Sequence, residues 1–271
     1  MGPRRCVGVD WRGAADPRTA ARAIWLAVAE GGRLVALETG RGRSETSARL
    51  VELAAEEPDT VIGLDFCFSA PAWFLEAHGM RSAGELWRWA ARQAERNPRF
   101  VRELPEPFWG PWVRPRPEAA GPALRRTEQQ LAIPGAHPSS FFKVTGPGSV
   151  GAQALLGMPE LLALCDCGVT IWPFDAPRLP VAVEVFPRAL ARLLAPGATG
   201  RHGADFRTEV IARHLDAFGD LARVAAQNQD AFDAAVVALA LDGARDLVGQ
   251  LARTRADQDL REGAILIPEL G

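Results

Sequence analysis

The sequence predicts an α/β protein in which a mixed sheet is flanked by helices. Short runs rich in valine, isoleucine and leucine alternate with longer segments whose apolar residues recur at helical spacing. Two early runs are joined by Gly31-Gly32, a pair that favours an antiparallel hairpin. A chain of 271 residues with 48% hydrophobic residues supplies a sizeable core, and we expect one domain over residues 1–271.

The strands are expected where β-branched and other apolar residues cluster between turn signals. The first three runs are close together in the sequence, so a meander is the simplest arrangement for them. In chain order the expected strands fall within residues 5–14, 22–31, 33–42, 60–69, 168–174, 181–187 and 262–268.

Helices are expected at 44–57, 82–97, 205–218 and 228–244, and a glycine-rich loop within 139–164 leads into further helices. A capping box from Ser82 to Glu85 opens the second of these, and Pro58 ends the first.

The middle of the chain differs in composition from the rest. Residues 71–135 contain many prolines, and we expect them to form an insertion or cap over the core. Within them, residues 81–128 hold ten arginines against six glutamates, so this part is basic although the whole chain has a net charge of −2. Any contact with a polyanion is therefore expected to be local rather than driven by bulk charge.

The N-terminal residues, the apolar runs and the cysteines predict an ordinary intracellular protein. The first ten residues lack the apolar stretch of a signal peptide, and no run approaches the ~20 apolar residues of a membrane span. We therefore expect a cytoplasmic location. Cys165 and Cys167 form a C-x-C pair with no second pair at zinc-finger spacing, which is a weak metal signal.

Five acidic residues stand where apolar residues would be expected. Asp10, Asp65 and Glu184 lie in or at the ends of apolar strand-like runs, and Asp230 and Asp233 share one face of an apolar helix. Each alone has a plain structural explanation as a cap or an ion-pair partner. Together they would repel one another strongly unless a cation joined them. Carboxylate oxygens suit Mg²⁺ or Mn²⁺, and two such ions can support phosphodiester cleavage.

The order of these elements resembles the ribonuclease H-like fold, in particular the branch with the RuvC Holliday-junction resolvases, whose final helix has a pattern like DAFDAA here. The chain is more similar still to the family of unknown function numbered four hundred and twenty-nine, usually described as predicted nucleases of this fold. The resemblance runs from about residue 5 to 268. It rests on GVDWRGA, IGLDFCFSAP, SSFFKVTGPGSVGAQALLGMPELLAL, WPF, VEVFP and DAFDAAVVALAL.

The resemblance implies a metal-dependent nuclease that acts on nucleic acid or a nucleotide. It implies Asp10 as the central ligand of two metal ions, with Glu184, Asp230 and Asp233 completing the site. Asp65 matches a recurring acid of the family, and we expect it to orient water or a ligand.

Four further residues are candidates for holding the substrate's phosphate. Ser149 is expected to cap a helix whose free N–H groups, beside Lys143, would receive a phosphate. Arg125 and Arg126 would offer guanidinium forks, although helix surface pairs explain them equally well. The stretch FWGPWVRPRP interleaves tryptophan with arginine, which suits either base stacking or a buried anchor.

Two other functions remain open at this stage. One is an ATP-dependent phosphotransferase related to actin and the sugar kinases, because DWRG places an aspartate and a glycine after the first strand. Ala14 follows Gly13 where those proteins generally carry a hydroxyl residue, which argues against it. The other is a non-catalytic binding module whose acids are held together by a metal. The residues do not indicate an oligomeric state.

Overall fold

The sheet is mixed and combines an antiparallel half with a parallel half. The computed structural model describes residues 3–14, 16–97, 99–118, 121–198, 203–255 and 260–270. Within them the strands are β1 (Arg5–Asp10), β2 (Trp25–Glu30), β3 (Arg33–Thr39), β4 (Thr60–Leu64), β5 (Thr170–Ile171) and β6 (Val181–Glu184). Their order is β3-β2-β1-β4-β6-β5. β1, β2 and β3 pair in antiparallel fashion, whereas β4 runs parallel to β1 and β6 runs parallel to both β4 and β5.

The helices occupy both faces of this sheet, which confirms the coarse α/β class. The described helices are α1 (Pro17–Ala23), α2 (Arg43–Glu56), α3 (Ala72–Ala77), α4 (Ala83–Arg96), α5 (Arg126–Gln129), α6 (Val150–Asp166), α7 (Pro187–Leu194), α8 (Ala204–Arg213), α9 (Leu215–Phe218), α10 (Ala222–Gln227), α11 (Gln229–Asp242) and α12 (Leu247–Arg255).

The alternation of side chains along the strands divides the core into two layers. Val7 and Val9 of β1 pack in the layer that contains the buried residues of α2, α4 and α6. Cys6 packs on the other side, in the layer formed with α7, α8, α11 and α12. The same alternation holds in β6, where Ala182 faces the first layer and Val183 the second.

Helix α11 lies very close to the sheet because two strand residues lack a side chain. A Cβ added to Gly8 of β1 would stand 2.2 Å from the carbonyl oxygen of Ala234, and one added to Gly63 of β4 would stand 2.5 Å from Val237. The helix could not occupy this place against larger residues. Its first turns are thereby held beside the ends of β1 and β4.

Several local expectations are confirmed. Gly31 and Gly32 both have positive φ angles, 58° and 83°, in the turn of the β2–β3 hairpin. The predicted capping box of α4 is formed in part: the hydroxyl of Ser82 accepts the backbone N–H of Glu85, but the Glu85 carboxylate accepts the N–H of Arg81 rather than that of Ser82.

Other local expectations need correction. The helix expected over 205–218 is interrupted at His214, which separates α8 from α9. Helices α1, α7 and α12 were not predicted, and the expected last strand is reduced to a single bridge between Ile265 and Glu184.

The segment 71–135, expected as an insertion or cap, contributes Phe74, Leu86, Phe108 and other residues to the first core layer. Within the parts of the chain that are described, no helix combines the length and the apolar character needed to cross a bilayer.

Candidate metal centre

Two of the predicted acids meet at the ends of the central parallel strands. Asp10 is the last residue of β1 and Asp65 follows the last residue of β4. Val9 is paired with Leu64, and the N–H of Asp65 donates to the carbonyl of Val9 at 3.1 Å. Asp10 and Asp65 are therefore equivalent positions on neighbouring strands, and their side chains leave the sheet on the same face.

Helix α11 supplies the other two acids of this group. The side chain of Asn228 accepts the N–H of Ala231 at 3.0 Å, which starts the helix and places Asp230 in its first turn. Asp233 follows one turn later, next to Ala234, which packs against Gly8. The close packing of α11 on β1 thus brings both acids to the ends of the strands.

All four acids line one cleft of about 290 Å³. Its remaining walls are Arg12, Gly148, Gln153, Phe186, Pro187, Arg188 and Gln229. The residues at the starts of α6, α7 and α11 are among them, so three helix N-termini border the cleft. Helix N-termini carry partial positive charge and favour anions, which suits both the carboxylates and a negatively charged ligand.

Asp10 is the most constrained of the four acids. It is 5% exposed, and its Oδ2 atom is buried without a hydrogen-bond partner. Burial, followed by the negative charges of Asp65, Asp233 and Asp230, raises the pKa of Asp10 well above its ordinary value, and Arg12 opposes this only in part. An unpaired carboxylate oxygen at such a site costs free energy unless a cation binds it.

Asp65 is perturbed in the same direction. Burial and the charge of Asp233 raise its pKa to about 8, although a hydrogen bond with Asp10 and the charge of Arg12 act against the rise. The Asp10–Asp65 pair therefore holds a proton at neutral pH when no cation is bound.

Arg12 offsets part of the negative charge. Its guanidinium donates to Oδ1 of Asp230 at 2.5 Å, and this pair is only partly exposed. Arg188 lines the cleft as a second cation. When all of these groups are ionised, the four carboxylates and two guanidinium groups have a net charge of −2, which one divalent cation would neutralise.

Asp233 is oriented by a short chain of hydrogen bonds. Gln229 donates from Nε2 to Oδ1 of Asp233 at 2.9 Å, and Arg207 donates to Oε1 of Gln229 at 2.6 Å. Arg207 also donates to the carbonyl of Ala226, so it is anchored to the residue that precedes α11 by three positions. Such outer contacts commonly orient the groups that bind a metal.

The structure does not place Glu184 in the cleft with Asp10, where the prediction had put it. Glu184 is paired with Leu64, one position before Asp65, so its side chain leaves the sheet on the opposite face from Asp65. It does not line the acidic cleft but a neighbouring cavity of about 100 Å³, and Asp65 and Phe186 line both. Its Oε2 accepts the N–H of Phe68 at 2.8 Å.

The predicted phosphate contact of Arg125 is also wrong. Its side chain is fully buried, and its guanidinium binds both oxygens of Glu184 and also Oε1 of Glu128, at 2.7 Å from Nη2. A further N–H donates to the carbonyl of Glu262 at 3.1 Å. Arg125 therefore joins β6, α5 and the C-terminal segment, and no donor is left for a ligand at the surface.

Cys67, Glu128 and Glu184 are grouped closely enough that they could hold a metal ion, since their ligand atoms lie within 4.8 Å of one another. The two carboxylates already share the guanidinium of Arg125, which supplies the positive charge there. Among the described residues this is the one group of three with such close spacing, so no three acids of the cleft come within 4.8 Å of one another.

The remaining predicted residues lie near the cleft or outside it. Lys143 donates from Nζ to the carbonyl of Pro147 and lies beside Gly148, at the border of the cleft. Ser149 is at the N-cap position of α6 as predicted, but its hydroxyl makes no capping hydrogen bond. Arg126 has an exposed side chain that does not line the cleft. The phosphate roles of Lys143 and Ser149 stay predictions.

Sequence reasoning missed four residues that shape the cleft. Arg12 follows the end of β1, and Arg188 follows the end of β6. Residues just after these strands lie at the sheet edge where Asp10 is found, so their positions in the sequence could have indicated both. Gln229 directly precedes Asp230. Gln153, which donates to the carbonyls of Trp11 and, at 3.1 Å, Asp65, has no recognisable signal in the sequence.

Comparison with family models, with curated proteins and with solved structures finds no match to this chain.

Proposed function

We propose that this protein is a metal-dependent phosphodiester hydrolase with a ribonuclease H-like core. The observation that carries the proposal is the buried, unpaired Oδ2 of Asp10, which stands in a cleft with three further aspartates. The strand order supports the fold assignment, because the three antiparallel strands are followed across the sheet by strands parallel to β1. The resemblance described from the sequence motifs points to the same chemistry.

The residues of the cleft fit Mg²⁺ or Mn²⁺. All four candidate ligands offer carboxylate oxygens, the type that these ions prefer. The acids are set wider than the compact group around Cys67, and Mg²⁺ tolerates this because it keeps several waters and needs only one or two protein carboxylates. Asp10 and Asp65 would bind first, and Asp230 and Asp233 would complete the site; two ions remain the expectation of the resemblance.

When bound, such an ion lowers the pKa of water and offsets charge on a phosphodiester. The chain supplies the remaining functions. Asp10 and Asp65 give up their shared proton when a cation enters, so affinity rises with pH. Arg188 and the N-termini of α6 and α7, which also line the cleft, favour a negatively charged phosphate. Gln229 and Arg207 keep Asp233 in one orientation.

The test is substitution of Asp10 by asparagine, measured by Mn²⁺ titration calorimetry and by cleavage of labelled DNA and RNA. We expect wild type to bind Mn²⁺ and to cleave at least one substrate, and Asp10→Asn to lose both activities while staying folded. Asp220→Asn is the matched control, because Asp220 is an exposed aspartate outside the cleft, and it should behave as wild type. Cleavage that survives Asp10→Asn would exclude the mechanism.

The variant Glu184→Gln tests whether Glu184 and the acids of the cleft act independently. Because Glu184 lies on the other face of the sheet, this variant should keep the Mn²⁺ affinity of wild type to within about twofold, even if it is less stable. A loss of Mn²⁺ binding as large as that of Asp10→Asn would show that the two groups act as one site.

The phosphotransferase alternative has less support. Gly13, in the turn after β1, packs against α6, where a Cβ would lie 2.6 Å from the N atom of Gln153. At Gly13 the turn is therefore in contact with a helix, which leaves little room there for the phosphates of a nucleotide. Thermal stabilisation by ATP with Mg²⁺, in a protein that cleaves no phosphodiester, would favour the phosphotransferase.

A further inference from the structure

We propose that Trp112 is a stacking platform for the bases of a single-stranded nucleic acid that enters the acidic cleft. The proposal rests on the proposed function, because it names the substrate class of that site. It starts from an unusual exposure: the Trp112 residue is 75% exposed, and it is the one aromatic residue among the large hydrophobic residues that are exposed in the described part of the chain. Tryptophan is highly buried on average, so a ring held in solvent needs an explanation.

Trp112 stands at the tip of a closed turn. The N–H groups of Val113 and Arg114 donate to the carbonyl of Gly110 at 3.0 and 3.1 Å, and the N–H of Gly110 donates back to the carbonyl of Arg114 at 3.0 Å. The N–H of Trp112 itself lies 3.4 Å from the hydroxyl oxygen of Thr145. The backbone that carries the ring is therefore fixed, and binding there would require little ordering of the chain.

The turn rests on the loop that reaches the cleft. The N–H of Val144 donates to the carbonyl of Trp109 at 2.9 Å, and Trp109 donates in return to Phe142 at 2.9 Å. A Cβ at Gly146 would lie 2.9 Å from the ring of Pro111, so these two residues are in close contact. Gly148, which lines the acidic cleft, is only two residues further, a span of at most about 7 Å.

Positive charge lies in the turn and around its other tryptophan, Trp109. The Nζ atom of Lys143 lies 5.6 Å, and Cζ of Arg116 5.7 Å, from the ring centroid of Trp109. Arg114 belongs to the turn itself. Three cations in the turn or beside its Trp109, three residues from the exposed Trp112, suit a single strand, in which phosphates meet positive charge and bases stack on rings. A surface that recognised a protein through Trp112 would not need this charge.

The geometry favours a single strand over a duplex. In a duplex the bases are stacked on one another and their faces are closed to an outside ring, whereas every base of a single strand presents a free face. A base on Trp112 and a phosphate near Gly148 would place successive nucleotides along the loop from residue 143 to 148.

The experiment measures binding of labelled oligo-dT, oligo-rU and a duplex by fluorescence anisotropy, with wild type in EDTA so that no cleavage occurs. Loss of a stacked base weakens binding by roughly 1 to 3 kcal/mol, so Trp112→Ala should weaken single-strand binding by about 5- to 150-fold. Trp112→Phe should retain most of the affinity, because the ring is kept. Leu215→Ala, which removes a 57% exposed side chain elsewhere, is the control and should leave binding unchanged.

Unchanged single-strand affinity in Trp112→Ala would overturn the inference, and so would duplex binding that is equally tight and equally sensitive to this change. The comparison of oligo-dT with oligo-rU tells which strand type is preferred. Failure of the proposed function looks different: a protein without metal chemistry would bind no Mn²⁺ and cleave nothing, whatever Trp112→Ala did to anisotropy. Cleavage that depends on Asp10 but not on Trp112 would remove this inference alone.

Discussion

Two groups of acids lie at the same edge of the sheet, and they differ in what neutralises them. On one face Glu184 and Glu128 share the guanidinium of the fully buried Arg125. On the other face Asp10 and Asp65 have only the partial charge compensation of Arg12, and their pKa values are raised. The first group is closed and paired, whereas the second lines an open cleft and leaves one carboxylate oxygen without a partner.

The comparison shows that residue type and position at a strand end do not distinguish an acid paired within the fold from one that lines an open cleft. The two groups differ in the partner that neutralises each carboxylate. A carboxylate with a buried arginine has its charge satisfied within the fold, and it stabilises the contact between elements. A carboxylate grouped with others of its kind is satisfied only by a cation or a proton.

The largest effect is expected from removing the cation of the closed group. Arg125→Met leaves Glu184 and Glu128 buried without their partner, and we expect a loss of about 3 to 5 kcal/mol in the free energy of unfolding. Arg126→Met is the matched control, because this neighbouring side chain is exposed, and it should change stability by no more than about 0.5 kcal/mol. Denaturant unfolding of the three proteins gives both numbers.

Equal stability of the two variants would contradict the structural role of Arg125. A more specific check adds Glu128→Gln and Glu184→Gln to Arg125→Met. Removing both negative charges should recover part of the lost stability, because the buried charges no longer lack a partner.

For the group that lines the open cleft, the contribution of Asp10 and Asp65 to the free energy of unfolding should depend on pH. The pKa values of Asp10 and Asp65 are raised in the folded protein, so the folded state holds more protons than the unfolded chain between about pH 4 and the raised pKa, which is about 8 for Asp65. The contribution of these two carboxyls to the stability of the metal-free protein should therefore be most favourable below this window and fall as pH rises through it. The slope is up to about 1.4 kcal/mol per pH unit for each carboxyl that stays protonated.

Urea unfolding in EDTA at a series of pH values measures this slope. Mg²⁺ or Mn²⁺ should reduce the fall, since the ion replaces the proton and binds more tightly as pH rises. Asp65→Asn should flatten the metal-free profile. A metal-free profile that is the same in wild type and Asp65→Asn would mean that Asp65 is compensated in the folded state, as Glu184 is.

A smaller effect is expected from the residues that hold Asp233. Arg207→Met breaks the hydrogen bond to Gln229, which orients Asp233, and loss of such an outer contact commonly lowers metal affinity by about 10- to 100-fold. Calorimetric titration with Mn²⁺ measures the change. Gln229→Leu removes the middle of the same chain and should lower the affinity to a similar extent.

A purely structural role for Arg207 predicts another result. Arg207→Met would then lower the melting temperature and leave Mn²⁺ affinity as in wild type. Arg207→Lys distinguishes the two further, because a lysine can still donate to Gln229 and should restore part of the affinity.

The candidate site was partly predictable because apolar strands and helices with isolated acids are rare. Asp10 and Asp65 stand out in their runs, and Asp230 and Asp233 share a helical face; all four line the cleft. Glu184 stands out in the same way, yet it belongs to the other group. The sequence offered no means to separate it from the others, because its partner Arg125 is fifty-nine residues away along the chain.

The sequence by itself determined the α/β class, the hairpin at Gly31-Gly32 and the positions of the acids along the chain, because these depend on local pattern and backbone preference. Tertiary structure decided which acids meet. Pairing Leu64 with Glu184, and not with Val185, turns Glu184 to the opposite face from Asp65. A register set by long-range packing is not encoded in any local stretch, and a shift of one residue would exchange the faces.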